Sequence, residues 1–154
     1  MRLLAFLPGR SGWADAPYFC LMPKRFGLPK SERLKSRKQI DALFDGGKSF
    51  AQFPIRVSYQ LSSAAEKSGL QIGVTASKRY FKKSVDRNHI KRLLREAYRL
   101  QKVDVLLQLK TAQKSGIVFF IYTDKTIVSF ITIKEAMAKC LKRLSSIATN
   151  ENPS

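Results

Sequence analysis

Apolar and polar positions alternate in two stretches of the chain, as they do in half-buried strands. Between Phe53 and Leu61, residues Ile55, Val57 and Tyr59 share one face, and between Leu70 and Ser77, Ile72 and Val74 point inward. The small and polar residues from Ser62 to Gly69 read as the turn that joins them. Gly116 introduces Ile117-Val118-Phe119-Phe120-Ile121-Tyr122, a short apolar run that predicts a buried strand. Helical spacing takes over elsewhere. Ser36-x-x-Gln39 is a capping box, and it predicts a short helix with Ile40, Leu43 and Phe44 on its apolar face, ending at Gly46-Gly47. From about Ser84 to Arg99, at about 100° per residue, Ile90, Leu93, Leu94, Ala97 and Leu100 gather into one stripe. Thr132-x-x-Glu135 is a second capping box and opens a last helix running to about Leu144, with Ile133, Ala136, Met137, Cys140, Leu141 and Leu144 toward a core. The segment Val103–Lys110 matches neither period.

The stripe on the middle helix leaves a second face for Asn88, Lys91, Arg92, Arg95 and Arg99, with Arg87 at its edge. A solvated helix face would carry acids three or four residues from its cations. Here Asp86 and Glu96 are the only acids between Lys78 and Arg99, and Glu96 can pair with either Arg92 or Arg99. Most of the positive charge therefore has no partner within the segment. Guanidinium groups present a planar fork of donors that suits phosphate oxygens, and Asn adds a donor and an acceptor. The face is built to meet a polyanion.

Composition points the same way. The 154 residues carry a formal net charge of +18, while hydrophobic residues make up 44%, enough for one folded domain. No apolar run approaches transmembrane length, and no basic amphipathic helix stands apart from the domain, so nucleic acid is favoured over a membrane surface. Cys20 and Cys140 lack the spacing of a metal site or a disulfide framework and suit a reducing, cytoplasmic setting. The single His89 sits among cations as a helix-surface residue, and no Ser/His/Asp set, carboxylate pair or Gly-rich phosphate loop is present. Residues 1–21 stand apart: Pro8, Gly9 and Arg10 interrupt the apolar start, and Met22 opens the basic part of the chain. They are expected to be a disordered extension or to precede the native start. A single RNA-binding domain should then span 22–148, followed by a frayed tail at 149–154.

Gly73-Val74-Thr75-Ala76-Ser77-Lys78-Arg79, followed by Arg87-Asn88-x-x-Lys91-Arg92-x-x-Arg95-Glu96, resembles the strand end and signature helix of the bacterial ribonuclease P protein subunit. Arg33-Leu34-Lys35 and Phe44-x-x-Gly47-Lys48-Ser49 extend the resemblance, which covers about Arg33 to Leu144. It implies an α+β fold, a two-layer α/β sandwich of helix, three strands, helix, strand and helix, with a left-handed βαβ crossover and a relative among ribosomal protein domains. The third strand would come from splitting Gly47–Leu61 or from an edge near Lys48–Gln52.

The resemblance also implies a role, that of assisting a catalytic RNA in Mg²⁺-dependent endonucleolytic removal of the 5′ leader from precursor tRNA, with the metal held mainly by RNA. Ser77, Lys78, Arg79, Lys82, Lys83, Arg87, Asn88, Lys91, Arg92 and Arg95 would contact the ribonuclease P RNA. Phe44 would stack on the leader in a cleft between the first helix and the sheet, and so would Tyr59, unless a shift of one residue places Ser58 there. No membrane and no stable protein partner are implied. Ile40 stands where the family commonly has Phe, and the loop from Tyr80 to Ser84 is one residue longer than usual, with Phe81 at a common Gly position. The competing reading is a non-enzymatic ribosomal or general RNA-binding protein.

Overall fold

The structure, a computed structural model, describes residues 27–63 and 69–150. The expectations for residues 1–21, for Met22, for most of the turn before Gly69 and for the last four residues lie outside that range. The described elements are a single 3-10 turn (Lys30–Glu32), α1 (Arg37–Gly46), β1 (Lys48–Gln52), β2 (Ile55–Ser62), β3 (Leu70–Ala76), α2 (Ser84–Thr111), β4 (Ser115–Tyr122) and α3 (Phe130–Asn150). The extra strand is thus the edge at Lys48–Gln52.

The four strands lie in the order β1-β2-β4-β3. β2 is antiparallel to both β1 and β4, whereas β3 and β4 are parallel and joined by α2. Alternation divides the sheet cleanly between two layers. Ile55, Val57 and Tyr59 of β2, with Val118, Phe120 and Tyr122 of β4, pack against Ile90, Leu94 and Tyr98 of α2 and Ile133 and Met137 of α3. On the opposite face Phe119 forms a smaller cluster with Leu43 of α1 and with Leu34, and Ile40, Ile117 and Ile121 pack around it. Leu34 also donates its N–H to Ile72 O at 2.8 Å, and Arg33 bridges to Ile72, so the segment before α1 lies along the outer edge of β3.

Several helix boundaries differ from the sequence expectation. α2 does not stop near Arg99. It takes in the ambiguous segment and runs to Thr111, with Val105 and Leu109 buried in its last turns. Lys102 hides this continuation because it occupies a core position, 3% exposed, where a periodic pattern needs an apolar residue. Its ammonium donates to Glu32 Oε2 at 2.7 Å and to Gly27 O, so the buried charge is paired and hydrogen-bonded. Leu100, expected in the stripe, is exposed.

The capping boxes are corrected as well. Ser36 occupies the N-cap position of α1 without a side-chain capping bond. α3 starts two residues before Thr132, and Ser129 Oγ accepts the Thr132 N–H at 3.4 Å. That helix continues past Leu144 to Asn150, with Ala148 buried and its carbonyl accepting a 2.8 Å bond from Lys114 Nζ. At the end of α1, Gly47 is required by proximity, since a Cβ there would lie 2.9 Å from Leu43 Cδ1 and still nearer the Leu43 carbonyl oxygen. Among the described residues no helix is long and apolar enough to cross a membrane.

Candidate nucleic-acid interface

β3 delivers the chain to the basic segment. Ala76 pairs with Tyr122 at one end of the sheet, and the next residues form a compact turn in which Phe81 N–H donates to Ser77 O at 3.1 Å. Ser77 Oγ accepts the Arg79 N–H at 3.2 Å. Phe81 closes the turn from inside: it is buried, with its ring 6.0 Å from that of Tyr122. Phe81 is therefore the anchor of this loop.

Arg87 secures the same loop from the first turns of α2. One guanidinium nitrogen, Nη1, donates to Phe81 O and to Lys82 O, both at 2.7 Å. Of the residues expected to meet RNA, Arg87 is thus committed to the protein, half-buried, with only part of its donor fork left over. Lys78, Arg79, Lys82, Lys83, Asn88, Arg92 and Arg95 are exposed, and Ser77 and Lys91 are half-buried. Glu96 takes Arg99 as its partner, accepting from Nε at 2.8 Å and from Nη2 at 2.5 Å. This bidentate bond holds the Glu96 carboxyl below its ordinary range and leaves Arg92 to the outside. The loop and the exposed face of α2 form one continuous cationic surface. α2 starts at Ser84 with Lys83 as its N-cap and no side-chain cap, so Lys82 and Lys83 precede the positive end of the helix, where Asp86 is the one acid of the first turn.

A second surface lies on the α1 side of the sheet. Phe44 is 48% exposed, and its ring meets Phe119 edge-on at a centroid distance of 5.4 Å. Phe119 pairs across β4 with Ser58 on one side and Gly73 on the other. Tyr59 does not join this surface. It is 7% exposed and belongs to the core on the opposite face, tilted against Phe50 at 5.9 Å. Strand alternation places Ser58, not Tyr59, beside Phe119, as the one-residue shift in the resemblance allowed. Exposure supplies a signal that the sequence lacks: Phe53, Phe44 and Tyr80 are the exposed aromatics among the described residues, and neither Phe53 nor Tyr80 belongs to a pattern that marks it out in the sequence. Ser77, where the cationic loop begins, lies about 13 Å along the chain from Gly73, the residue that pairs with Phe119.

The Ribonuclease P family matches residues 28–145 of the chain. The chain belongs to this family. The ribonuclease P protein component of Porphyromonas gingivalis is 38% identical over 123 residues, covering 80% of this chain and 90% of that one. That of Chlorobium phaeobacteroides is 31% identical over 127 residues, covering 76% and 87%. In fold, the chain is similar to the ribonuclease P proteins of Staphylococcus aureus and Thermotoga maritima, each at a TM-score of 0.56 and 24% identity. The alignments cover 74% and 73% of this chain and 95% and 96% of those. The α+β architecture expected of a ribonuclease P protein is the one described above.

Proposed function

We propose that this ribonuclease P family protein binds the ribonuclease P RNA through Lys78, Arg79, Lys82, Lys83, Asn88, Lys91, Arg92 and Arg95. On the same reading it holds the 5′ leader of precursor tRNA against Phe44, and so assists endonucleolytic removal of that leader. Ser77 and Arg87 contribute by fixing the loop that presents these cations. The observation that carries the reading is the set of exposed cations along the loop and α2, in a chain that also offers an exposed ring at Phe44 beside the Ser58–Phe119 pair. A single strand of RNA can then be neutralised at one surface and stacked at the other.

Among the described residues no group of three His, Cys, Asp or Glu side chains gathers to hold a metal ion. In this proposal the Mg²⁺ of the reaction is held mainly by RNA. The chain's own part is to bind, neutralise and orient. Tyr59 is withdrawn from the leader site in this proposal because its ring is in the core. A cytoplasmic location follows from the proposed substrate.

The test is cleavage of precursor tRNA at low Mg²⁺ by the cognate catalytic RNA, with and without this protein. Strong stimulation, with no cleavage by the protein alone, is expected. Tight RNA binding without stimulation would replace the proposal with a general RNA-binding role.

A further inference from the structure

We infer that Tyr80 is a stacking platform for an unpaired RNA base at the cationic surface, an inference that rests on the RNA-binding role proposed above. An exposed tyrosine alone says little, because surfaces carry many apolar rings. Three observations make this one different. Its side chain has no hydrogen bond, ring contact or cation contact among the described residues, although it is 39% exposed and follows a strand that ends in the core. The backbone around it is fixed on both sides. Ser77 Oγ holds the Arg79 N–H, Phe81 is buried against Tyr122, and Arg87 holds the Phe81 and Lys82 carbonyls. Finally, its sequence neighbours are Lys78, Arg79, Lys82 and Lys83, all exposed.

The turn buries Phe81 and leaves its neighbour Tyr80 partly exposed, in the middle of four cations. It leaves part of an aromatic ring open to solvent where phosphates are drawn in. Tyr has few rotatable bonds, so little ordering entropy is lost when a base stacks on it. Stacking also tolerates any base, which suits a splayed-out nucleotide better than a paired one. The base comes either from the catalytic RNA or from precursor tRNA, and the chemistry is shared between the two.

The experiment uses the full chain and three variants, Tyr80→Ala, Tyr80→Phe and Tyr80→Trp. Affinity for the catalytic RNA is measured across a salt series, and affinity of the assembled holoenzyme for precursor tRNA is measured separately. Tyr80→Ala should weaken binding about fivefold or more, while the log–log salt slope stays at the wild-type value because no phosphate contact is lost. Tyr80→Phe should bind as the wild type does. Tyr80→Trp should retain affinity and show fluorescence quenching on binding beyond that of the wild-type chain. A defect in the first measurement places the base in the catalytic RNA, and one confined to the second places it in precursor tRNA. Wild-type affinity of Tyr80→Ala in both measurements would overturn the inference and leave the proposed function intact. A Tyr80→Phe defect as large as that of Tyr80→Ala would also overturn it, since the hydroxyl would then be the group that binds. Failure of the wild-type chain to bind the catalytic RNA would overturn the function and the inference together.

Discussion

The ring of Phe119 lies across Gly73 of the neighbouring strand, so close that a Cβ at position 73 would come within 2.3 Å of its Cδ2 and Cε2. Phe119 in turn supports the edge of Phe44. The exposed ring of Phe44, at the proposed leader surface, therefore depends on a glycine on β3. Gly73→Ala should force the Phe119 ring aside at a cost of about 1–3 kcal/mol, lowering the melting temperature by a few degrees. It should also weaken precursor binding through Phe44. Calorimetry and a binding titration measure the two effects, and an unchanged melt would show that the ring gives way freely.

Arg92 and Arg87 share a helix and a charge but should fail in different ways. Arg92 is exposed and forms no bond among the described residues, so Arg92→Ala should lower the log–log salt slope of RNA binding by about one and leave the melt unchanged. Arg87→Ala removes two 2.7 Å bonds to loop carbonyls and should cost about 1 kcal/mol of stability as well as affinity. Identical slopes for the wild type and Arg92→Ala would show that this face does not meet phosphate.

Phe44 and Tyr59 make the sharper contrast. With half of Phe44 in solvent, Phe44→Ala should weaken precursor binding by about 1–3 kcal/mol with a small effect on folding. Tyr59→Ala should cost about 3–5 kcal/mol of stability, because the ring is buried. Urea titrations alongside binding curves separate the outcomes, and a Phe44→Ala variant as unstable as Tyr59→Ala would assign Phe44 to the core.

That pair also marks where the sequence stops being legible. Alternation correctly groups Tyr59 with Ile55 and Val57, but which layer covers that face is decided by α2 and α3, far along the chain. The start of α2 at Ser84 and the cationic face can be read from spacing, whereas its extent cannot. A lysine at core position 102 interrupts the apolar period, and its partners, Glu32 and Gly27, lie seventy or more residues away. Arg87 looks like its neighbours in the sequence because only the folded loop returns two carbonyls to it. The edge strand Lys48–Gln52 is short and polar, and it is defined by its register with β2 more than by any pattern of its own.

Alkaline pH should reveal the buried groups. Burial pushes the Cys140 thiol up to about 12 from an ordinary value of 9.0, and burial, reinforced by the Glu32 charge, raises the Tyr98 hydroxyl above its ordinary 10.0. Both groups ionise more easily in the unfolded chain. Stability should therefore be intact below pH 9 and fall as pH rises toward 12, with Tyr98 adding to the loss above pH 10. In a Cys20→Ser background the native thiol should resist alkylation at pH 8 and react promptly in denaturant. Rapid labelling of the folded protein would show that the thiol is accessible.

The start of α2, where Lys82 and Lys83 precede a helix with no side-chain cap, adds to the chain's self-repulsion and gives ionic strength two opposite meanings. In a chain of net charge +18, added salt screens this repulsion and should raise the melting temperature of the free protein. For the assembled complex the same salt replaces phosphate contacts and should drive dissociation. A buffer chosen to keep the isolated protein folded is thus a poor one in which to look for its partner.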